Sequence, residues 1–280
     1  MYDDAAVNAW IQDDPDPATR AELTELLSAA GSHGEQAQAA RRALNDAFSG
    51  TLAFGTAGLR GRLGGGPNRM NRVVVIRAAA GLSEYLKSRL GEGFSVVIGY
   101  DARHNSEQFA RDTAAVVTGA GGRAILFESH CPTPVLAFAL RRLEADAGVM
   151  VTASHNPPQD NGYKVYLGGR AVTDSGQGAQ IVPPYDSQIA AAIDAVGPVG
   201  SVPRPQSGWE TVDPGIREEY IERAAQAARM TAPTPVRIVL TAMHGVGGAT
   251  CREVLARAGF TDVVEVAEQF EPDPDFPTVA

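Results

Sequence analysis

The stretch "SVVIGYDARHNSEQFARDTAAVVTGAGGRAILFES", from Ser95 to Ser129, decides the fold class. It opens with a β-branched apolar run, continues through a segment of helical length, and ends in a second apolar run. The helical segment "PVLAFALRRL" and a third apolar run, "AGVMVTAS", follow. Strands that alternate with helices at this pace predict an α/β fold in which a mixed sheet is layered with helices. Ser106 is expected to cap the helix between the first two strands.

The regions on either side of this core have different predicted roles. Asp16-Pro17 has the form of a helix start, so the first fifty residues are expected to be helical. Beyond "GPVGSVPRPQSG", the run "VRIVLTAMHGVGGATCREVLARAGFTDVVEV" repeats the strand, turn, helix and strand outline. We therefore expect a complete α/β domain over residues 1–208 and a second, similar domain over 209–280. The second would be incomplete, and the chain part of a longer protein, because two strands and one helix bury their faces poorly.

The composition excludes several classes of function. The 280 residues carry a net charge of −9, whereas nucleic acids and anionic membranes attract concentrated positive charge. No apolar run approaches the length that crosses a membrane, and the acidic N-terminus has no signal core. Cys131 and Cys251 have no metal-binding spacing, so we expect two buried thiols in a reducing compartment. A soluble cytoplasmic protein that binds neither nucleic acid nor membranes is the simplest interpretation.

The third strand runs into "VTASHNPPQDNGYKVY", Val151 to Tyr166, where we expect the reaction centre. Loops that leave the carboxyl ends of parallel strands carry chemistry in such sheets. Ser, His, Asn and Pro are ordinary turn formers, so any one of them alone indicates only a loop. Ser154, however, directly follows a strand, and two prolines stiffen the exit from its turn. Such rigidity is useful for holding a nucleophile.

Two chemistries could use Ser154. A serine hydrolase or esterase is the weaker hypothesis, because an extended backbone would point His155 away from Ser154 and no G-x-S-x-G elbow surrounds it. Phosphoryl transfer fits better, since a phosphoserine carries about −1.5 to −2 charges and needs donors and cations around it. His155 would supply a donor, Lys164 would carry a proton, and Arg60 in "GTAGLRG" would supply a fixed positive fork.

Other features of the sequence are less specific. Taken alone, Arg60 has the character of a solvated loop arginine and Lys164 that of an exposed strand lysine. We expect Asn156 and Arg103 to contact phosphate or substrate, Arg103 because "GYDAR" also ends a strand. "GVGGAT" is interpreted as a tight turn rather than a dinucleotide fingerprint, and "EPDPDF" as an extended tail rather than a pair of metal ligands.

"TASHNPPQDNGYKVY" and "FGTAGLRG" together resemble the motifs of the α-D-phosphohexomutase superfamily, the phosphoglucomutases and phosphomannomutases, and its long bacterial branch appears closest. The resemblance extends through "GYDAR" to "HGVGG". It implies an intramolecular phosphotransferase, an isomerase that moves phosphate between C1 and C6 of a hexose phosphate through a sugar bisphosphate. Pentose phosphates stay open as substrates, and a noncatalytic module that binds sugar phosphates is a third class of function.

The resemblance also implies a role for each matching residue. Ser154 would be the phosphoserine, Lys164 the general acid/base, His155 the histidine beside the serine, and Arg60 the arginine that approaches the phosphoryl centre. A magnesium ion, Mg2+, would contact Ser154 through its phosphate, but the family's D-G-D-x-D-R loop of metal ligands does not occur here. Further C-terminal domains of the same polypeptide would supply it. We therefore expect residues 1–280 alone to bind magnesium poorly and to have little mutase activity.

Overall fold

The computed structural model describes residues 2–56, 58–228 and 236–279. Three helices come first: α1 (Asp4–Asp13), α2 (Pro17–Ala30) and α3 (Glu35–Ala47). Asp16 caps α2 as the sequence predicts, because its carboxylate accepts a hydrogen bond from the backbone N–H of Ala18. The three helices share a small apolar core of their own: Val7, Leu23, Ala30, Ala40 and Leu44.

Six strands of the described chain form one sheet, in the spatial order β1-β5-β4-β2-β3-β6. They are β1 (Leu59–Arg62), β2 (Ser95–Tyr100), β3 (Arg123–Leu126), β4 (Ala147–Val151), β5 (Asp160–Leu167) and β6 (Glu210–Thr211). The pairs β4–β2, β2–β3 and β3–β6 are parallel. At the other edge of the sheet, β5 pairs antiparallel with β4, and β1 pairs antiparallel with β5. The mixed sheet that the sequence predicts is confirmed.

Helices cover both faces of this sheet, so the four inner strands, β5, β4, β2 and β3, each contribute to two cores. The helices of the first face are α4 (Arg72–Leu90), α5 (Ser106–Gly119) and α7 (Tyr185–Asp194), and those of the second face are α6 (Thr133–Arg142) and α8 (Gly215–Ala228). Val96 and Ile98 of β2 are buried in the first core, and Val97 between them is buried in the second. Full burial of such a side chain stabilises the fold by about 1.5–3 kcal/mol.

The start of α5 differs from the prediction. Ser106 is the first residue of the helix rather than its cap, and Asn105 before it has a left-handed backbone (φ +64°) and makes no capping bond. The Ser106 hydroxyl instead donates to Asp101 Oδ1, 2.7 Å away. It therefore joins the helix to the loop after β2, which lies at the carboxyl edge of the sheet.

The second unit has the strand, turn, helix and strand order expected from the sequence: β7 (Ile238–Leu240), α9 (Gly248–Arg257) and β8 (Val263–Glu265), followed by the short α10 (Ala267–Phe270). β7 and β8 are parallel, and "GVGGAT" forms the turn and the first residues of α9, as predicted. The division after Gly208 stays a prediction. The two-residue strand β6 lies just beyond it and pairs with β3 of the first sheet.

Two expectations about single features can be compared with the structure. Cys131 is buried, and burial raises the pKa of its thiol to about 12, which makes it unreactive. Cys251 is exposed, contrary to prediction, because it lies on the solvent side of α9 together with the exposed Arg252 and Ala256. Among the described residues, no helix combines the length and the apolar character that crossing a membrane requires.

Candidate active site

Ser154 lies just beyond the end of β4 with its side chain exposed. Its backbone is left-handed (φ +58°), a conformation that costs a non-glycine residue about 1–3 kcal/mol and that tends to occur at functional sites. The turn is held by two hydrogen bonds, from Ser154 N–H to Thr152 Oγ1 (2.9 Å) and from Asn156 N–H to the carbonyl of Ala153 (3.1 Å). The hydroxyl is thus presented to solvent and not to the apolar interior.

Arg103 holds this loop from beneath and is only 5% exposed. Its Nη1 donates to the carbonyls of Pro157 and Asp160 (2.9 and 3.0 Å), and its Nη2 to those of Ser154 and Asn156 (3.0 and 2.7 Å). Burial lowers the pKa of the Arg103 guanidinium, although neighbouring carboxylates oppose this effect. From the sequence, Arg103 is expected to contact phosphate or substrate, and this stays a prediction. The terminal nitrogens of Arg103 are occupied by backbone carbonyls, so the contacts favour a scaffolding role.

Strand register brings Arg60 and Lys164 onto one face of the sheet. Arg60 of β1 is opposite Gly162 of β5, and Lys164 is two residues further along β5. Because residues two apart on a strand point to the same face, the two cations are diagonal neighbours, with Cα atoms about 7–8 Å apart. Gly162 allows this pairing, since a Cβ there would lie 2.6 Å from the carbonyl oxygen of Thr152 and 2.8 Å from that of Leu59.

The electrostatics of Lys164 follow from this placement. Its side chain is half-buried, and burial together with the positive charge of Arg60 lowers the pKa of its ammonium group, which Asp101 partly opposes. A lysine with a lowered pKa holds a larger fraction of neutral amine near neutral pH than a solvated lysine does. Lys164 is therefore suited to accept and return a proton.

A chain of polar contacts connects Arg60 to the loop of Ser154. Arg60 Nη1 donates to Asn156 Oδ1 (3.0 Å), and Asn156 Nδ2 donates to Asp160 Oδ2 (2.8 Å). Both ends of the Asn156 amide are thus engaged inside the loop. Within the described residues, the other N–H groups of the Arg60 guanidinium have no hydrogen-bond partner, which leaves them available to an anion.

His155 does not point away from Ser154, contrary to the expectation from an extended backbone. Its Nδ1 lies 3.4 Å from Ser154 Oγ, because the left-handed backbone of Ser154 turns the two neighbouring side chains toward each other. This separation exceeds the usual 2.7–3.2 Å of a hydrogen bond, so the pair is in proximity but not in the tight contact of an activated nucleophile and its base.

The loop of Ser154 faces the second unit across a cleft of about 390 Å³. Met243 and Phe276 line its far side, and His244 lines an adjoining cavity of about 100 Å³ that also reaches Ser154. All three have left-handed backbones, with φ of +49° at Met243, +48° at Phe276 and +60° at His244. The same uncommon conformation therefore recurs on both walls of the cleft.

The segment "EPDPDF" is part of this wall and not the extended tail that the sequence analysis expected. The N–H of Asp275 donates to Asp273 Oδ1 (2.9 Å), and the N–H of Asp273 donates to the carbonyl of His244 (3.0 Å), so the chain turns back. Sequence reasoning missed Phe276 and His244 as cleft residues. Both lie in segments quoted above, "HGVGG" and "EPDPDF", but local pattern does not bring them to Ser154, which is about a hundred residues away along the chain.

The residues around Ser154 do not fit a complete metal site. In residues 2–56, 58–228 and 236–279, no group of three or more His, Cys, Asp or Glu side chains is placed to hold a metal ion. A magnesium ion generally requires about six oxygen ligands at 2.0–2.1 Å. A phosphate on Ser154 would supply only part of that set.

Comparisons with known proteins agree with this architecture. Residues 51–197 match the family described as phosphoglucomutase/phosphomannomutase, alpha/beta/alpha domain I, and residues 218–280 match domain II of the same family. A Haemophilus influenzae protein named "Probable phosphomannomutase" is 49% identical over 212 residues, which are 75% of this chain and 42% of that protein. The phosphoribomutase of Saccharomyces cerevisiae is 34% identical, over 98% of this chain and 45% of its own length.

A solved structure has the same fold. The phosphoglucomutase/phosphomannomutase family protein of Burkholderia thailandensis superposes with a TM-score of 0.64 at 23% identity, over 81% of this chain and 46% of that one. The chain thus spans less than half the length of the curated relatives described above.

Proposed function

The chain belongs to the phosphoglucomutase/phosphomannomutase family, and from that premise we propose that it carries the phosphoryl-transfer centre of a phosphosugar mutase. The observation that supports this most directly is the placement of Ser154. Its exposed hydroxyl is fixed on a rigid turn at the carboxyl edge of the sheet, beside the face that carries Arg60 and Lys164. The activity would be that of an isomerase, an intramolecular phosphotransferase.

The proposed reaction exchanges one phosphate ester for another. Phosphorylated Ser154 gives its phosphoryl group to a hydroxyl of the sugar phosphate, so the bond from phosphorus to Oγ breaks as the bond to the sugar oxygen forms. Lys164 accepts the proton of that hydroxyl, and the proton passes to Oγ. The bisphosphate then turns around, and the reverse step returns the other phosphoryl group to Ser154. Phosphate has moved between C1 and C6, and the enzyme is restored.

The remaining side chains have supporting roles in this proposal. Arg60 holds the phosphoryl oxygens with the N–H groups that Asn156 does not use, and its planar fork suits them. His155 donates to the phosphate from the other side of Ser154. Asn156 fixes the direction of Arg60, and its proposed contact with phosphate or substrate would take its Nδ2 from Asp160.

The substrate in this proposal is a hexose phosphate, with the sugar bisphosphate as intermediate. A pentose phosphate is the alternative, since one relative is named a phosphoribomutase. Magnesium is also proposed, and the phosphate of Ser154 is its contact from this chain. Further domains of the same polypeptide would supply the metal ligands and the sugar-selecting loops, and the protein would act in the cytoplasm. Robust turnover of sugar phosphates by these 280 residues alone would contradict the proposal that further domains are required.

The test is intact and peptide mass spectrometry of the full-length polypeptide, with its further domains, after incubation with glucose 1,6-bisphosphate. We expect one phosphoryl group on the Ser154 peptide, and complete loss of it in Ser154→Ala. Alanine keeps the backbone constraint at this position, so the folded state of the variant should match that of the parent. An unmodified Ser154 peptide in the parent protein would contradict the proposal.

A serine hydrolase is the alternative because Ser154 Oγ and His155 Nδ1 are only 3.4 Å apart. A fluorophosphonate probe distinguishes the two functions. Rapid labelling of Ser154 that is lost in His155→Ala, without phosphate incorporation from the bisphosphate, would favour the hydrolase.

A further inference from the structure

Two consecutive residues of the first domain contact two consecutive residues of the second unit. His104 Nε2 lies 2.7 Å from Asp275 Oδ1, and the guanidinium carbon of Arg103 lies 4.8 Å from the centre of the Phe276 ring. These four residues form the 103–276 junction. It lies at the cleft, and Arg103 is the same residue that holds the loop of Ser154.

The two contacts of the junction differ in character. His104 and Asp275 are well exposed, so their pairing contributes little in water. Arg103 is almost fully buried, and a cation over an aromatic face is worth more when it is desolvated. The stack of Phe276 on Arg103 is therefore the stronger link between the second unit and the loop of Ser154.

Arg103 depends on the exclusion of water. Its Nε is buried and has no hydrogen-bond partner among the described residues, and its nearest carboxylate oxygen, Asp101 Oδ2, is 3.4 Å away. Its other nitrogens bond to four carbonyls of one loop. Water that reached the guanidinium would compete for those bonds, and the ring of Phe276 covers its face.

We propose that Phe276 is a positioning residue, which acts through Arg103 to keep Ser154 at the angle required for phosphoryl transfer. The effect on the loop follows from the contacts alone, whereas the effect on transfer rests on the function proposed above. Seating of the turn 273–276 against the first domain thus couples the position of the second unit to the presentation of the serine. Phe276 itself adopts a left-handed backbone (φ +48°), which its contacts must stabilise.

The first experiment measures the loop without reference to activity. Hydrogen exchange of the peptide 152–162 is compared in the parent protein, in Phe276→Ala and in Phe276→Tyr. We expect exchange about 3- to 30-fold faster in Phe276→Ala, the range that a desolvated cation–π contact supports, and near-parent exchange in Phe276→Tyr because the ring is kept. Equal exchange in all three proteins would overturn the proposal.

Phe138→Ala is the matched control. Phe138 is also half-buried, and it packs edge-on against Tyr220 on the far side of α6, away from Ser154. Its removal should lower the stability of the protein without faster exchange in 152–162. If both alanine variants loosened this peptide equally, the effect would be general destabilisation and the proposal would fail.

The second experiment measures transfer from glucose 1,6-bisphosphate to Ser154 in the full-length polypeptide, as the parent protein and with each of the same Phe276 substitutions. We expect the maximal rate in Phe276→Ala to fall about 3- to 30-fold with little change in the bisphosphate concentration at half-maximal rate, and Phe276→Tyr to restore it. If Phe276→Ala speeds hydrogen exchange in 152–162 but leaves the maximal transfer rate unchanged, the proposed effect of Phe276 on transfer is overturned. Absence of transfer in the parent protein would reject the proposed mutase and leave the exchange result to decide on positioning.

Discussion

The two edges of the main sheet each contain a buried charged side chain that ties loops together. At the amino edge, the carboxylate of Asp146, only 1% exposed, accepts hydrogen bonds from Ser95 N–H (2.8 Å) and Arg170 N–H (3.0 Å) and pairs with the Arg170 guanidinium (2.7 Å). At the carboxyl edge, Arg103 donates to four carbonyls. The amino edge thus uses an anion with a paired cation, and the carboxyl edge a cation beneath the loop of Ser154.

The two edges differ in how fully their charges are satisfied. Burial alone would raise the pKa of Asp146, but its bonds to Arg170 and to backbone N–H groups outweigh that effect and lower it. Burial lowers the pKa of Arg103, and its buried Nε has no hydrogen-bond partner in the described chain, with Asp101 Oδ2 3.4 Å away. Left-handed residues also gather at the carboxyl edge and its cleft. A well-satisfied amino edge allows the opposite edge to keep the strain and exposed groups that chemistry requires.

The largest expected effect is a loss of transfer rate, and it should come from a substitution at the carboxyl edge. Lys164→Ala removes the proposed proton carrier, so we expect transfer between the sugar bisphosphate and Ser154 to slow about 100- to 10,000-fold, with unfolding free energy nearly unchanged. Rapid-quench measurement of phosphate on the Ser154 peptide checks this. A change of less than threefold would remove Lys164 from the proposed mechanism.

The pH dependence sharpens the same prediction. The transfer rate should rise with pH as Lys164 loses its proton, and level off at a pH below the ordinary lysine pKa, because burial and Arg60 lower the pKa of Lys164. Arg60→Gln removes the neighbouring positive charge, so the levelling-off should move to higher pH. Arg60→Lys keeps the charge and is the control, with a weaker grip on phosphate but little displacement of the pH profile.

The second-largest expected effect is a loss of stability, and it should come from a substitution at the amino edge. Asp146→Asn breaks a buried ion pair, and we expect a loss of about 2–3 kcal/mol in unfolding free energy, moderated because Arg170 is still half in water. Urea denaturation at neutral pH measures it. Transfer to Ser154 should continue at the parent rate per folded molecule, and a selective loss of transfer would contradict the separation of the two edges.

The acid dependence of stability gives a second measurement. A carboxylate whose folded pKa is lowered stabilises the protein above the ordinary carboxyl pKa, and the contribution is lost as the pH falls through the folded value. The parent protein should therefore lose more stability than Asp146→Asn between neutral and acidic pH. Parallel curves for the two proteins would contradict this.

The smallest effect concerns backbone strain. Ser154→Gly removes the side chain from a left-handed position, and we expect the unfolding free energy to rise by about 0.5–1 kcal/mol while phosphate incorporation disappears. Glu144→Gly is the matched control, since Glu144 is also left-handed (φ +51°) but ends α6 on the amino side of the sheet. It should gain similar stability with no loss of transfer. A gain at Glu144 alone would show that the Ser154 turn is not strained.

Features that depend on local sequence pattern were predicted correctly more often than features that depend on contacts between side chains. The alternating runs from Ser95 to Val151 were sufficient for the strands and helices, because period and turn chemistry act over a few residues. They also placed Ser154 at a carboxyl edge of the sheet. The prediction for Ser106 was wrong because Asp101, five residues away, competes for its hydroxyl. That for His155 was wrong because it assumed an extended backbone at Ser154.

The sequence by itself determined the α/β order of elements, the family and the identity of the serine loop, since these depend on short-range pattern and on residues that are contiguous in the chain. Only the tertiary structure decided that Arg60 shares a face with Lys164, that Arg103 bonds to the carbonyls of the Ser154 loop, and that Phe276 covers Arg103. Strand register, burial and the folding back of the second unit set those contacts. They join residues about 50 to 170 positions apart, which no local rule can bring together.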